Sequence, residues 1–129
     1  MINVGKFVHK RKGTANMEKW DILDENGIPT GKTALRGGNT LKSGEYHLVV
    51  HIWVVSSDGN ILIQRRADSK REMPGQWAAN GGCAIAGETS LAAARRELSE
   101  ELGIECDDNA LKKVLRLRRR NSLIDIWVI

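Results

Sequence analysis

Apolar residues recur along the chain in two rhythms. Between Thr89 and Leu102, the residues Leu91, Ala94, Leu98 and Leu102 return at helical spacing, which predicts one amphipathic helix ended by a left-handed Gly103. Elsewhere the pattern is that of strands. Trp20 to Leu23 and Thr30 to Leu35 flank Asp24-Glu25-Asn26-Gly27, and Asn-Gly supplies the positive φ angles of a tight hairpin turn. Tyr46 to Val55, rich in Val, Ile and Trp, turns through Ser56-Ser57-Asp58-Gly59 into Asn60 to Arg65 and predicts a second hairpin. A Pro74-Gly75 loop leads to Trp77 and the glycine pair Gly81-Gly82. Leu111 to Leu117 and Leu123 to Ile129 are strand-like, and the last run stays apolar to its final residue, which reads as a strand cut short. Arg36-Gly37-Gly38-Asn39 reads as loop.

A chain of 129 residues, 41% of them hydrophobic, fits one compact domain. Residues 1–16 lack apolar periodicity and read as a basic N-terminal extension, with the domain at 17–129. The longest apolar stretch, Leu48 to Val55, is interrupted by His51 and falls far short of the roughly 20 residues that a membrane span needs. No charged start followed by an apolar core marks an export signal. The expectation is a soluble cytoplasmic protein, with Cys83 and Cys106 as reduced thiols, since they form no zinc-ligand spacing.

The net charge of +4 suits an anionic ligand without separating nucleic acid from nucleotide. The run Arg116, Arg118, Arg119, Arg120 is expected to be a solvated strand edge, and Trp20, Trp53, Trp77 and Trp127 to be core. His47 and His51, four residues apart in one strand, share a sheet face as core or edge residues. Gly31-Lys32-Thr33 is no phosphate-binding loop, because only Ile28, Pro29 and Thr30 separate Gly27 from Gly31 and no helix follows.

On the helix, Glu97, Glu100 and Glu101 fall at i, i+3 and i+4 and therefore on one face. Each like-charge neighbour pair costs about 0.2–0.5 kcal/mol, and the C-terminal end of a helix is already negative. A bound cation would relieve both penalties, and hard carboxylate oxygens suit Mg²⁺ or Mn²⁺. Three glutamates alone are better described as a solvated acidic face. The surrounding spacing decides between them: Gly82, five residues, Glu88, seven residues, then Arg96-Glu97-Leu98-Ser99-Glu100-Glu101-Leu102-Gly103-Ile104. Seven fixed positions agree by chance in on the order of one window in 10⁸.

This segment resembles the signature box of the Nudix hydrolase superfamily at every fixed position. The resemblance implies a Nudix fold of the α/β class, an α/β/α sandwich with a mixed, partly curled sheet. It implies Mg²⁺-dependent hydrolysis of a diphosphate bond, with Mn²⁺ as an alternative ion. By the same resemblance Glu97, Glu100, Glu101 and the Gly81 carbonyl hold the metal, and Glu97 orients or deprotonates the attacking water. Arg96 pairs with a box carboxylate, and Glu88 is metal-adjacent or structural. Arg65, Arg66, Lys70 and Arg71, ahead of the box, are candidates to grip the diphosphate of a small, nucleotide-like substrate. A homodimer through a sheet edge is a further expectation from the family.

A rival comes from Gln64-Arg65-Arg66-Ala67-Asp68-Ser69-Lys70 and Pro74-Gly75-Gln76-Trp77, which resemble isopentenyl-diphosphate isomerase, a Nudix-fold enzyme that hydrolyses nothing. His47 falls where that enzyme has a metal-binding histidine. Its acid, however, is a cysteine in an Asn-x-x-Cys-Gly-His segment, whereas Asn80 is followed here by Gly81-Gly82-Cys83-Ala84. On this reading Cys83 is expected one or two residues out of register with that acid, the following histidine is absent, and Asp125 stands near the place of a catalytic glutamate. The complete box favours hydrolysis. A nucleic-acid-binding module would leave the acidic cluster unexplained, and a ligand-sensing domain without turnover would use the same box. Asp107, Asp108 and Asp125 are the further acidic residues near enough to consider as a metal ligand or base.

Overall fold

The computed structural model describes residues 18–37 and 41–129; the basic extension 1–16 lies outside the described residues. Its first hairpin pairs β1 (Lys19–Leu23) with β2 (Pro29–Leu35). The Asp24 carboxylate accepts hydrogen bonds from the Asn26 and Ile28 N–H groups at 2.9 and 3.0 Å, and Gly27 takes φ 79° to close the turn. Gly31-Lys32-Thr33 lies exposed inside strand β2 with no helix after it, so it is no phosphate-binding loop.

The main sheet is mixed. Its centre is β3 (His47–Val55), which pairs in parallel with β9 (Ser122–Val128), and β9 pairs antiparallel with β8 (Lys112–Arg118). The other side of β3 is shared by β4 (Ile61–Leu62) and β7 (Asn80–Cys83), both antiparallel to it. The single strand expected from Asn60 to Arg65 is in fact broken at Ile63. Continuing the β4 register, Gln64 would need Ile52 and Arg65 would need His51, and those positions are taken by Asn80 and Gly81 of β7. Gln64–Arg65 therefore leaves as β5 and pairs with β6 (Trp77–Ala78). The glycine pair Gly81-Gly82, which the sequence pattern assigns to no element, is part of strand β7.

One α-helix is present among the described residues, α1 (Ser90–Leu102). Thr89 caps its start by accepting from the Ala92 N–H at 3.1 Å. Gly103 ends it at φ 66°, its N–H bonded to Ser99 O, while the Ile104 N–H reaches back to Leu98 O. The helix lays Ala93, Ala94 and Leu98, all fully buried, on Val50 and Ile52 of β3, with Ala84, Leu111 and Trp127 completing the cluster. The two alanines let the helix approach closely, and each fully buried Val, Leu or Ile contributes about 1.5–3 kcal/mol. Leu48 also touches a second cluster of Leu23, Tyr46 and Leu123, which docks the first hairpin.

The mixed sheet and covering helix are the α/β arrangement the sequence predicts, although the described residues place an α-helix on one face of the sheet alone. Trp127 is core as expected, whereas Trp20 is half-buried. Trp53 and Trp77 are not core: they are 37% and 49% exposed, because Trp53 alternates onto the face away from α1 and Trp77 sits on the short outlying hairpin. His47 and His51 share that same outer face, both half-buried. No helix among the described residues is long and apolar enough to cross a membrane.

Candidate active site

Three elements meet at Arg96. Its Nε donates to Glu88 Oε1 at 2.6 Å and its Nη2 to Glu88 Oε2 and the Cys83 carbonyl, both at 3.0 Å. Its Nη1 donates to Glu97 Oε1 at 2.8 Å and to Glu100 Oε2 at 3.2 Å. The planar guanidinium fork thus ties strand β7, the following loop and two turns of α1 together, a geometry that lysine could not reproduce. These carboxylates raise the Arg96 pKa further above its ordinary value, the Glu88 hydrogen bond most of all. Burial would raise the Glu88 pKa, but hydrogen bonds from Arg96 and the Ile85 N–H, with the Arg96 charge, outweigh it and hold the carboxyl below its usual range.

The like-charge penalty read from sequence is therefore relieved in part from within, by Arg96. Among the described residues no three His, Cys, Asp or Glu side chains already converge into a metal cage. The donor set nonetheless fits a hard divalent ion. Glu97 is 1% exposed, and its carboxylate packs on Gly82 so closely that a Cβ there would overlap it. Glu100 and Glu101, half-buried, continue the same helix face toward solvent. Gly81 has an equivalent constraint, since a Cβ would overlap the Val50 carbonyl.

Strand register gives the direction of the Gly81 carbonyl. Ala84 N–H donates to Leu48 O at 2.9 Å, so in the antiparallel alternation Gly82 faces Val50 as the next hydrogen-bonded pair. The polar groups of residues 81 and 83 then point away from β3, and the Cys83 carbonyl does so, onto Arg96. Gly81 presents its carbonyl along the same edge. Hard carboxylate oxygens and an outward backbone carbonyl are the ligands that Mg²⁺ and Mn²⁺ accept.

The remaining candidates are elsewhere. Arg65 is paired with Asp68 at 3.1 Å, and Arg66 donates from Nε to Glu72 O at 3.0 Å, so both are engaged inside the loop between β5 and β6. Lys70 and Arg71 are exposed in that loop and ion-pair with no described residue. Asp107 and Asp108 are exposed, Asp108 in an ion pair with Arg95.

Asp125 is fully buried and already spoken for. Arg116 grips it through Nε and Nη2 at 2.6 and 2.9 Å, the Ser90 hydroxyl donates to it at 2.6 Å, and Lys113 lies 3.2 Å away. Burial opposes its charge, but these partners prevail and hold its pKa below the ordinary value. The Trp127 Nε1–H donates to the same Ser90 hydroxyl at 3.0 Å. Arg116 lies on the exposed edge strand β8, as expected of the arginine run, and is in addition the counter-charge of a buried carboxylate. Sequence reading missed this pair, although a lone Asp in Leu123-Ile124-Asp125-Ile126-Trp127 signals a charge that needs a partner.

The isomerase parts are not assembled. Cys83 in fact stands three residues after Asn80, the spacing of Asn-x-x-Cys, so the expected register slip is not there; what departs is Ala84-Ile85 in place of the Gly-His that follows the cysteine. On β7 residue 82 faces α1 and Cys83 the opposite side of the sheet. His47 stacks on Trp20 with ring centroids 3.9 Å apart and 8° between planes. Burial, then the Arg36 charge, lowers its pKa.

Residues 45–123 match the NUDIX domain. A Nudix hydrolase of Listeria monocytogenes is 41% identical over 114 residues, which cover 88% of this chain and 67% of that protein. An isopentenyl-diphosphate Δ-isomerase of Pectobacterium atrosepticum is 33% identical over 107 residues, 81% of this chain and 58% of that enzyme. The crystal structure of a Deinococcus radiodurans protein superimposes with a TM-score of 0.74 at 27% identity, covering 86% of this chain and 70% of the other. With its box intact, its sheet and helix superimposable on a solved relative and its sequence matched across the domain, the chain belongs to the Nudix hydrolase family.

Proposed function

We propose that this domain is a Mg²⁺-dependent hydrolase, Mn²⁺ being an alternative ion, that cleaves the diphosphate bond of a small nucleoside-diphosphate-linked compound. The observation that carries the reading is the Glu97 carboxylate, buried against Gly82 and aligned by Arg96 at the start of an acidic helix face. Gly81 O, Glu97, Glu100 and Glu101 would hold the metal. When bound, it neutralises phosphate charge and lowers the pKa of a coordinated water.

The chain's own residues do the rest. Glu97 orients the attacking water and takes its proton as the water oxygen bonds to phosphorus; the anhydride P–O bond breaks and the leaving phosphate keeps its electron pair. Arg96 fixes the Glu97 rotamer and offsets its charge. Arg65, Arg66, Lys70 and Arg71 border the substrate, with Lys70 and Arg71 the two whose charges are unspent for a diphosphate. Exposed Trp77, directly across from Arg65, offers a flat surface for a nucleobase.

The test is phosphate and nucleotide release from dinucleotides, ADP-ribose, nucleoside triphosphates and isopentenyl diphosphate with Mg²⁺, comparing the protein with Glu100→Gln and Glu101→Gln. Turnover lost in both variants supports the reading. Double-bond migration in isopentenyl diphosphate, or Mg²⁺-dependent binding without hydrolysis, overturns it in favour of the isomerase or a ligand sensor.

A further inference from the structure

Asn80 is 0% exposed, and neither its Nδ2 nor its Oδ1 has a hydrogen-bond partner. A buried carboxamide left with two donors and an acceptor unmatched is costly, because each group gives up its water partners and gains none. Groups of this kind are rare in folded proteins and point to a ligand, water or ion that completes them. Leucine has nearly the same shape without the cost.

Its position says what the missing partner is. Asn80 lies opposite Ile52 and Gly82 opposite Val50, so both share the sheet face covered by α1. The helix runs antiparallel to β7: Arg96 reaches the Cys83 carbonyl and Glu97 rests on Gly82. One further helical turn, about 6 Å, leads from Glu97 to Glu101. Two residues back along the strand, about 6.6 Å, lead from Gly82 to Asn80. The register therefore carries the buried carboxamide beneath the Glu97–Glu101 segment.

We propose that Asn80 is a positioning residue of the metal site, its carboxamide hydrogen-bonding a water held between the ion and the floor of the sheet. The inference rests on the metal-dependent reading above. The carboxamide suits this role because it offers both a donor and an acceptor and carries no charge to compete with the glutamates for the ion. Such outer partners orient metal-bound groups, and their removal typically weakens metal binding roughly 10–100-fold.

The experiment measures Mn²⁺ affinity by electron paramagnetic resonance and water-proton relaxation, with Tm, for the protein and for Asn80→Leu, Asn80→Ala and Glu101→Gln. The expected result is a Tm for Asn80→Leu equal to or above that of the parent, with Mn²⁺ bound roughly tenfold more weakly and a changed relaxation enhancement per bound ion. Asn80→Ala gives the same metal readout should leucine disturb the fold. Unchanged affinity and relaxation in both Asn80 variants, with Glu101→Gln impaired, overturn the role of Asn80 and leave the metal site standing. A parent protein that binds no Mn²⁺ overturns both.

Discussion

The carboxylate of Glu97 occupies the space that a Cβ on Gly82 would fill. Gly82 does not take a left-handed φ, so its backbone accepts alanine without strain, and the conflict is between the new methyl group and the carboxylate. Gly82→Ala should push Glu97 off the strand while leaving the fold intact. A displacement of about 1 Å in a catalytic group costs roughly 10²-fold in rate. Steady-state kinetics should show that loss in kcat with Tm within a few degrees of the parent; full activity would mean that Glu97 tolerates another position.

Arg96 is tested by a pair of substitutions. Arg96→Met removes the counter-charge of a carboxylate that is 1% exposed, and stranding a buried charge costs about 3–5 kcal/mol. Arg96→Lys keeps the charge but not the fork that spans Glu88, Glu97, Glu100 and the Cys83 carbonyl. Urea unfolding should therefore rank parent, lysine, methionine in falling stability, with catalysis impaired in both variants. If lysine restores parental kinetics, the alignment of Glu97 does not depend on the fork.

The box helix was legible because its chemistry is local: three glutamates at fixed helical offsets share a face whatever surrounds them, and Gly103 ends a helix wherever it stands. The first hairpin was legible for the same reason. What escaped depends on contacts distant in sequence. Gly81-Gly82 carries no strand pattern in isolation; it is strand because it pairs with Val50 and His51 of β3, and glycine because Val50 O and Glu97 leave no room for side chains. The strand after Asn60 breaks only because β7, arriving later in the chain, occupies the edge of β3. The Arg116–Asp125 pair forms only because β9 is laid beside the edge strand β8.

That pair predicts a pH dependence. The folded-state pKa of Asp125 lies below its ordinary value of 3.8, so the stability it contributes is present above that value and is lost as pH falls through the lower folded pKa. Asp125→Asn removes this linkage. Thermal unfolding between pH 7 and pH 2 should show the parent losing Tm more steeply than Asp125→Asn below about pH 4, and the two curves converging at the acid end. Parallel curves would show that Asp125 does not depend on its charge for its place in the fold.

The two ends of α1 should respond differently to loss of their caps. Thr89→Ala removes the bond to the Ala92 N–H, worth about 1 kcal/mol, at the end remote from Glu100 and Glu101. Gly103→Ala forces a side chain into φ 66°, a cost of about 1–2 kcal/mol, within three residues of both glutamates. Both variants should lose comparable stability by urea unfolding. Relief of the Gly103 strain by unwinding the last turn would move Glu100 and Glu101, whereas fraying at Ser90 would leave them in place. The Mg²⁺ concentration at half-maximal activity should therefore rise severalfold in Gly103→Ala and stay at the parental value in Thr89→Ala. An equal shift in both would mean that the helix moves as one rigid body, its Glu100–Glu101 end coupled to the cap some twenty ångströms of helix away.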